Sequence, residues 1–108
     1  MAGLIATPAA DRLYLTVPKL KQRAISDKLL KLTEFVGGCT ETDARGAWKD
    51  SSGAWWVEEA IKYEWAVFGF NPTLNMADKL HIECIEALLD SGEQAVMAGN
   101  KLYTRRTA

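Results

Sequence analysis

The longest alternating run in the chain, from Trp55 to Phe68, most limits what it can fold into. Its odd positions Trp55, Val57, Ile61, Tyr63, Trp65 and Val67 are apolar, broken only by Glu59, while the even positions Trp56, Glu58, Ala60, Lys62, Glu64 and Ala66 are mixed. Successive side chains of a strand point to opposite faces, so this spacing predicts a central strand with its odd face against a core. A strand with one apolar face needs a layer to cover it, and the sequence on either side supplies two candidates.

The first covering element is a helix over Arg23 to Val36, where Ile25, Leu29, Leu32, Phe35 and Val36 recur at three- and four-residue steps opposite Asp27, Lys28, Lys31 and Glu34. Gly37-Gly38 ends it, because glycine takes the positive φ of a helix C-terminus without strain. The second runs from a cap at Asn75 to about Leu89, with Met76, Leu80, Cys84, Ile85, Leu88 and Leu89 as its stripe, and stops at Ser91-Gly92. Asn71-Pro72 before it reads as a loop.

Alternation from Arg12 to Val17, closed by Pro18, predicts a first strand with Leu13, Leu15 and Val17 on one face and Tyr14 and Thr16 on the other. Cys39 to Lys49 is a polar, edge-type strand, joined to the central one through the turn formers Asp50-Ser51-Ser52-Gly53. Glu93 to Met97 and Leu102 to Arg105 form short strands around Gly99-Asn100. The resulting order is that of a split β-α-β unit: an α+β sandwich of β-α-β-β-α-β type, with an antiparallel sheet, two helices on one face and a short C-terminal hairpin. Residues 1–11 are expected to be a flexible lead-in and 12–108 one domain, in keeping with a chain of 108 residues.

Thirteen basic against fourteen acidic residues leave a formal charge of -1, too little to attract nucleic acid or an anionic membrane. Two cysteines, Cys39 and Cys84, match no disulfide framework and no zinc spacing, and are expected to be plain thiols in a cytoplasm. No stretch reaches the roughly 18 apolar residues of a membrane span, and residues 1–10 lack the charged leader and apolar run of a secretory signal.

The stretch Gly37-Gly38-Cys39-Thr40, followed by Gly46-Ala47-Trp48, Asp50, Gly53 and Glu58-Glu59, resembles a pattern in small uncharacterised bacterial and phage proteins of ferredoxin-like design, and the resemblance covers most of the chain. It implies the ferredoxin-like sandwich and a home in a phage or mobile element, hence a host cytoplasm. It implies no activity for any named residue.

Candidate functional residues fall into two groups. The open sheet face is expected to carry Tyr14, Trp56, Glu58 and Lys62, with Trp48 beside them, as an interface, since tryptophans are over-represented at the centres of protein contacts. A pocket between helices and sheet is expected to hold Glu59, Tyr63 and His81 with Trp55 and Trp65, with Glu59 either a partly desolvated carboxylate or a strand-end group paired with Arg45 or a lysine, and His81 beside the apolar stripe of its helix. His81 is the single histidine, and Asp78, Glu83 and Cys84 near it form no strong ligand pair, so no metal and no cofactor are expected. Arg105-Arg106 with Lys101, Lys19, Lys21 and Arg23 form either a basic edge or a solvated terminus.

The function read from these features is a non-enzymatic binding protein, without catalytic residues, that acts as a homodimer and uses its tryptophan hairpin to hold a protein partner such as a host defence factor. The alternatives are a cofactor-free enzyme of the dimeric α+β barrel kind with an aromatic-lined pocket, and a small-ligand-binding module.

Overall fold

A computed structural model describes residues 3–69 and 71–105, the side chains of residues 71 and 72 excepted. In chain order it contains β1 (Asp11–Pro18), two 3-10 turns (Lys19–Lys21 and Arg23–Ile25), α1 (Ser26–Val36), β2 (Thr40–Lys49), β3 (Trp55–Val67), α2 (Asn71–Asp90), β4 (Ala95–Ala98) and β5 (Lys101–Thr104). The three-stranded sheet has the order β1-β3-β2, antiparallel throughout, with Leu13 opposite Trp65, Leu15 opposite Tyr63 and Trp48 opposite Trp56. β4 and β5 pair only with each other, as a hairpin whose first strand lies beside β1. The fold is the expected ferredoxin-like α+β sandwich with its C-terminal hairpin. Among the described residues no helix is long and apolar enough to cross a membrane.

The core is one layer between the odd face of the sheet and the helices. Leu13, Leu15 and Val17 of β1, Tyr63, Trp65 and Val67 of β3, Ile25, Leu29 and Leu32 before and within α1, Ala77, Leu80, Cys84, Ile85 and Leu88 of α2, and Val96 and Ala98 of β4 form a single buried cluster. α1 ends as its glycines predict: Gly37 adopts φ 99° and its N–H donates to the carbonyl of Thr33 at 2.9 Å. At the turn between β4 and β5, Gly99 has φ 68°, and a Cβ there would stand 3.1 Å from Cδ2 of Tyr14.

Several local expectations are corrected by the structure. The odd face of β3 is covered only from Ile61 onward, and Trp55 and Val57 are exposed. The cause is length: thirteen residues of strand extend about 43 Å, whereas the eleven residues of α1 span about 16 Å and the twenty of α2 about 30 Å. The far ends of β2 and β3 therefore form an arm beyond the helices. Phe35 and Met76 are exposed rather than part of their stripes. α2 starts at Asn71, so Asn71-Pro72 belongs to its first turn, where a proline costs no hydrogen bond. Its buried face is Ala77, Leu80, His81, Cys84, Ile85 and Leu88, which places His81 within the stripe.

The expected basic edge is dispersed. Lys19 pairs with Asp43 at 3.4 Å, Lys21 donates to the carbonyl of Ser91 at 2.6 Å, Arg105 pairs with Asp90, and Arg106 lies outside the described residues, as do residues 1 and 2 of the lead-in.

Trp65 is fully buried, so Trp65→Ala should lower the unfolding free energy by about 3–5 kcal/mol in urea titrations, the range for large aromatic truncations in cores. A loss below 1 kcal/mol would mean that the core is centred elsewhere.

Candidate functional site

Because the helices take the odd face, the even face of the sheet is left uncovered. Its rows follow from the register: Tyr14, Glu64 and Thr40 lie side by side, then Thr16, Lys62 and Thr42, then Pro18, Ala60 and Ala44, and at the end of the arm Trp56 and Trp48. A groove of about 1040 Å³ runs over the first two rows and around the β1 edge. Its floor includes Arg12, Tyr14, Thr16, Lys62, Glu64 and Thr42. Its rim is built by Met97, Asn100, Lys101 and Tyr103 of the terminal hairpin and by Asp78, His81 and Ile82 of α2.

The lining carries both signs of charge. Arg12 Nη1 donates to Glu64 Oε2 at 3.0 Å, which holds one oxygen of that carboxylate and steadies the side chain. Asp11, Asp78, Lys62 and Lys101 add two carboxylates and two ammonium groups. A concave surface with convergent charges of both signs suits a zwitterionic or multiply charged small molecule.

His81 sits where groove and core meet. β1 has a strand partner on one side only, and Nε2–H of His81 donates to the carbonyl of Tyr14 at 2.6 Å. A carbonyl only accepts, so this bond places the proton on Nε2. The ring stands edge-on to Trp65 at 6.2 Å between centroids. Burial holds the imidazole pKa below its ordinary value of 6.5, against the opposing pull of the Tyr14 carbonyl and of Asp78 and Asp11. His81 is therefore neutral at pH 7.

Tyr63 lies under the sheet, stacked on Trp65 at 5.6 Å, and its hydroxyl accepts from Gln22 Nε2 at 2.6 Å. Burial pushes its pKa up to about 12, which removes it as a base near neutrality. Of the expected pocket residues, Tyr63 and His81 both line the groove, while Trp65 is buried in the layer beneath it and Trp55 is exposed on the arm. Glu59 does not join His81. Its side chain is 72% exposed and stands 4.0 Å from Lys19 Nζ, because its stretch of β3 lies beyond the helices. Glu58 is half-buried on the open face, between Ala60 and Trp56.

Trp48 and Trp56 stack at 5.9 Å, half exposed. Asp50 organises this tip: its carboxylate accepts from the Ser52 hydroxyl at 2.6 Å, Trp56 Nε1 at 2.7 Å, and the backbone N–H of Ser52 and Ala54. The Ser52 hydroxyl and the Trp56 indole hold its pKa at about 2, below the usual 3.8. Lys101 and the rim of the terminal hairpin were the groove components missed in the sequence. Their one signal was Gly99-Asn100, which predicts the hairpin but not its docking on Tyr14. Among the described residues no cluster of three or more His, Cys, Asp or Glu side chains could hold a metal.

No protein-family model and no curated protein matches the chain. Among solved structures it is similar to a phage SAM lyase in complex with S-methyl-5'-thioadenosine, with a TM-score of 0.58 over 97% of both chains and 10% sequence identity. At that identity the likeness shows the fold, and the expected resemblance to phage proteins holds at that level. It also corrects the main functional expectation: the full-length neighbour of this architecture is an enzyme, not a non-enzymatic binder of host factors.

Two pH responses follow. The Asp50 pKa lies below its unfolded value, so its contribution is complete above pH 3.8 and is lost as the pH falls through about 2. The arm tryptophans should change fluorescence in that window, and Asp50→Asn should remove the transition. The His81 pKa is likewise depressed, so its contribution is complete above pH 6.5 and fades as the pH falls below it. Urea midpoints measured from pH 7.5 to 5 should decline in the parent and flatten in His81→Gln.

Proposed function

We propose that the chain is a cofactor-free enzyme that binds an adenosyl sulfonium amino acid in the open-face groove and breaks a carbon–sulfur bond, releasing a methylthioadenosine-type thioether. The observation that carries this reading is the match over 97% of both chains to a lyase holding S-methyl-5'-thioadenosine, combined with a groove lined by charges of both signs. Such a substrate has a cationic sulfur, an ammonium group, a carboxylate and a flat base. Asp11 and Asp78 suit the cations, Lys62 and Lys101 the carboxylate, and Tyr14 and Tyr103 the base.

A sulfonium carries its own leaving group. When the substrate's carboxylate oxygen attacks the γ carbon, a C–O bond forms and the C–S bond breaks with its electron pair moving to sulfur. The products are a neutral thioether and a cyclic ester. No proton, electron or metal is required, so the protein's task is to bend the substrate until its two ends meet. Orientation of this kind is worth up to about 7–11 kcal/mol of barrier. The neutral His81 supports it by placing no positive charge beside the cation. In this reading Tyr14, Lys62 and His81 act in the groove, and Tyr63 supports His81 through Trp65.

We propose also that the chain works as a homodimer, with Trp48, Trp56 and Glu58 of the open face in the contact. The stacked, half-exposed indole pair supports this, because Asp50 has already restricted it and little further ordering is needed on association.

Incubation with S-adenosylmethionine should yield methylthioadenosine by liquid chromatography, and Lys62→Met should reduce kcat/KM at least tenfold with the urea midpoint unchanged. Absence of product above the uncatalysed background would overturn the enzymatic reading. Light scattering should give a dimer mass that falls to the monomer in the Trp48→Ser, Trp56→Ser double variant.

A further inference from the structure

The proposed function leaves open which part of the substrate each row of the groove reads. Tyr14 and Glu64 are direct cross-strand partners on the open face, and such partners have Cβ atoms about 5 Å apart. The terminal hairpin packs against one edge of the Tyr14 ring through Gly99, and 37% of the residue remains exposed. Beside that ring the Glu64 carboxylate accepts a hydrogen bond from Arg12 through Oε2. Oε1 has no bond among the described residues. Lys62 comes one row further along β3, opposite Thr16 and Thr42.

A planar base, two adjacent hydroxyls and a charged tail occur in that order along a ribonucleoside with a 5' substituent. An ionised carboxylate accepts from both hydroxyls of a vicinal diol, and the aromatic ring and carboxylate of one row, with the ammonium of the next, offer matching groups. From this placement, and resting on the enzymatic reading above, we infer that Glu64 is the specificity residue for the substrate's ribose: it binds the 2',3'-diol of a nucleoside whose base lies on Tyr14, so that the groove selects ribonucleosides over deoxynucleosides. Arg12 acts as a positioning residue through Glu64.

Isothermal titration of the wild-type protein with S-methyl-5'-thioadenosine and with its 2'-deoxy analogue tests this directly. A hydrogen bond to an ionised group is worth about 10- to 100-fold in affinity, so the ribo form should bind about 10- to 100-fold more tightly. Glu64→Gln keeps the shape and removes the charge, and should bring the ratio to about threefold or less while Lys62→Met leaves it intact. Equal binding of the two ligands by the wild type, or a wild-type ratio in Glu64→Gln, would overturn the role of Glu64 and leave the enzymatic reading standing. If the wild type binds neither nucleoside, both readings fall. The wild-type comparison varies only the ligand, so it holds even where a variant folds poorly.

Discussion

Trp65 joins both helices to the sheet. It is wholly buried, donates from Nε1 to the Thr33 hydroxyl of α1 at 2.9 Å, stacks on Tyr63, and meets the edge of His81 on α2. His81 in turn holds the Tyr14 carbonyl on β1. One ring thus links both helices to two strands. The groove depends on this chain of contacts, because Tyr14 is part of its floor and His81 part of its rim. Buried aromatic rings and satisfied polar tips give such a junction a single geometry rather than several near-equivalent ones.

The same arrangement separates the work of the two sheet faces. The odd face takes the large apolar side chains and needs the helices. The even face is relieved of packing and can carry Arg12, Lys62 and Glu64 without desolvating them. The groove therefore carries charges of both signs. Below it, burial raises Tyr63 to about 12 and Cys84 to about 11. Chemistry that needs no side-chain proton transfer suits such a division.

How much of this was legible in the sequence varied with the length scale of the signal. Strand and helix periodicity placed β1, β3 and both helices, and the turn residues placed the hairpins. Alternation cannot say where a covering helix ends, so Trp55 and Glu59 were read as facing a core that stops at Ile61. One position after Leu80, His81 reads as lying beside the stripe, whereas the steps from Ala77 to Leu80, His81, Cys84, Ile85 and Leu88 put it inside. Tyr14 and Lys62 were visible as open-face residues. The rim supplied by Lys101 and Tyr103 was not, since it arises from the docking of a distant hairpin on Tyr14, a contact between segments more than eighty residues apart.

That docking rests on side-chain packing, with no strand-to-strand ladder between β4 and β1. Val96 and Ala98 of β4 belong to the same buried cluster as β1, β3 and both helices, and Tyr103 of β5 packs against it. The rim of the groove therefore shares the core of the sandwich, so the width of the groove is tied to the packing beneath it, and sequence changes around Gly99 and Tyr14 act on both at once.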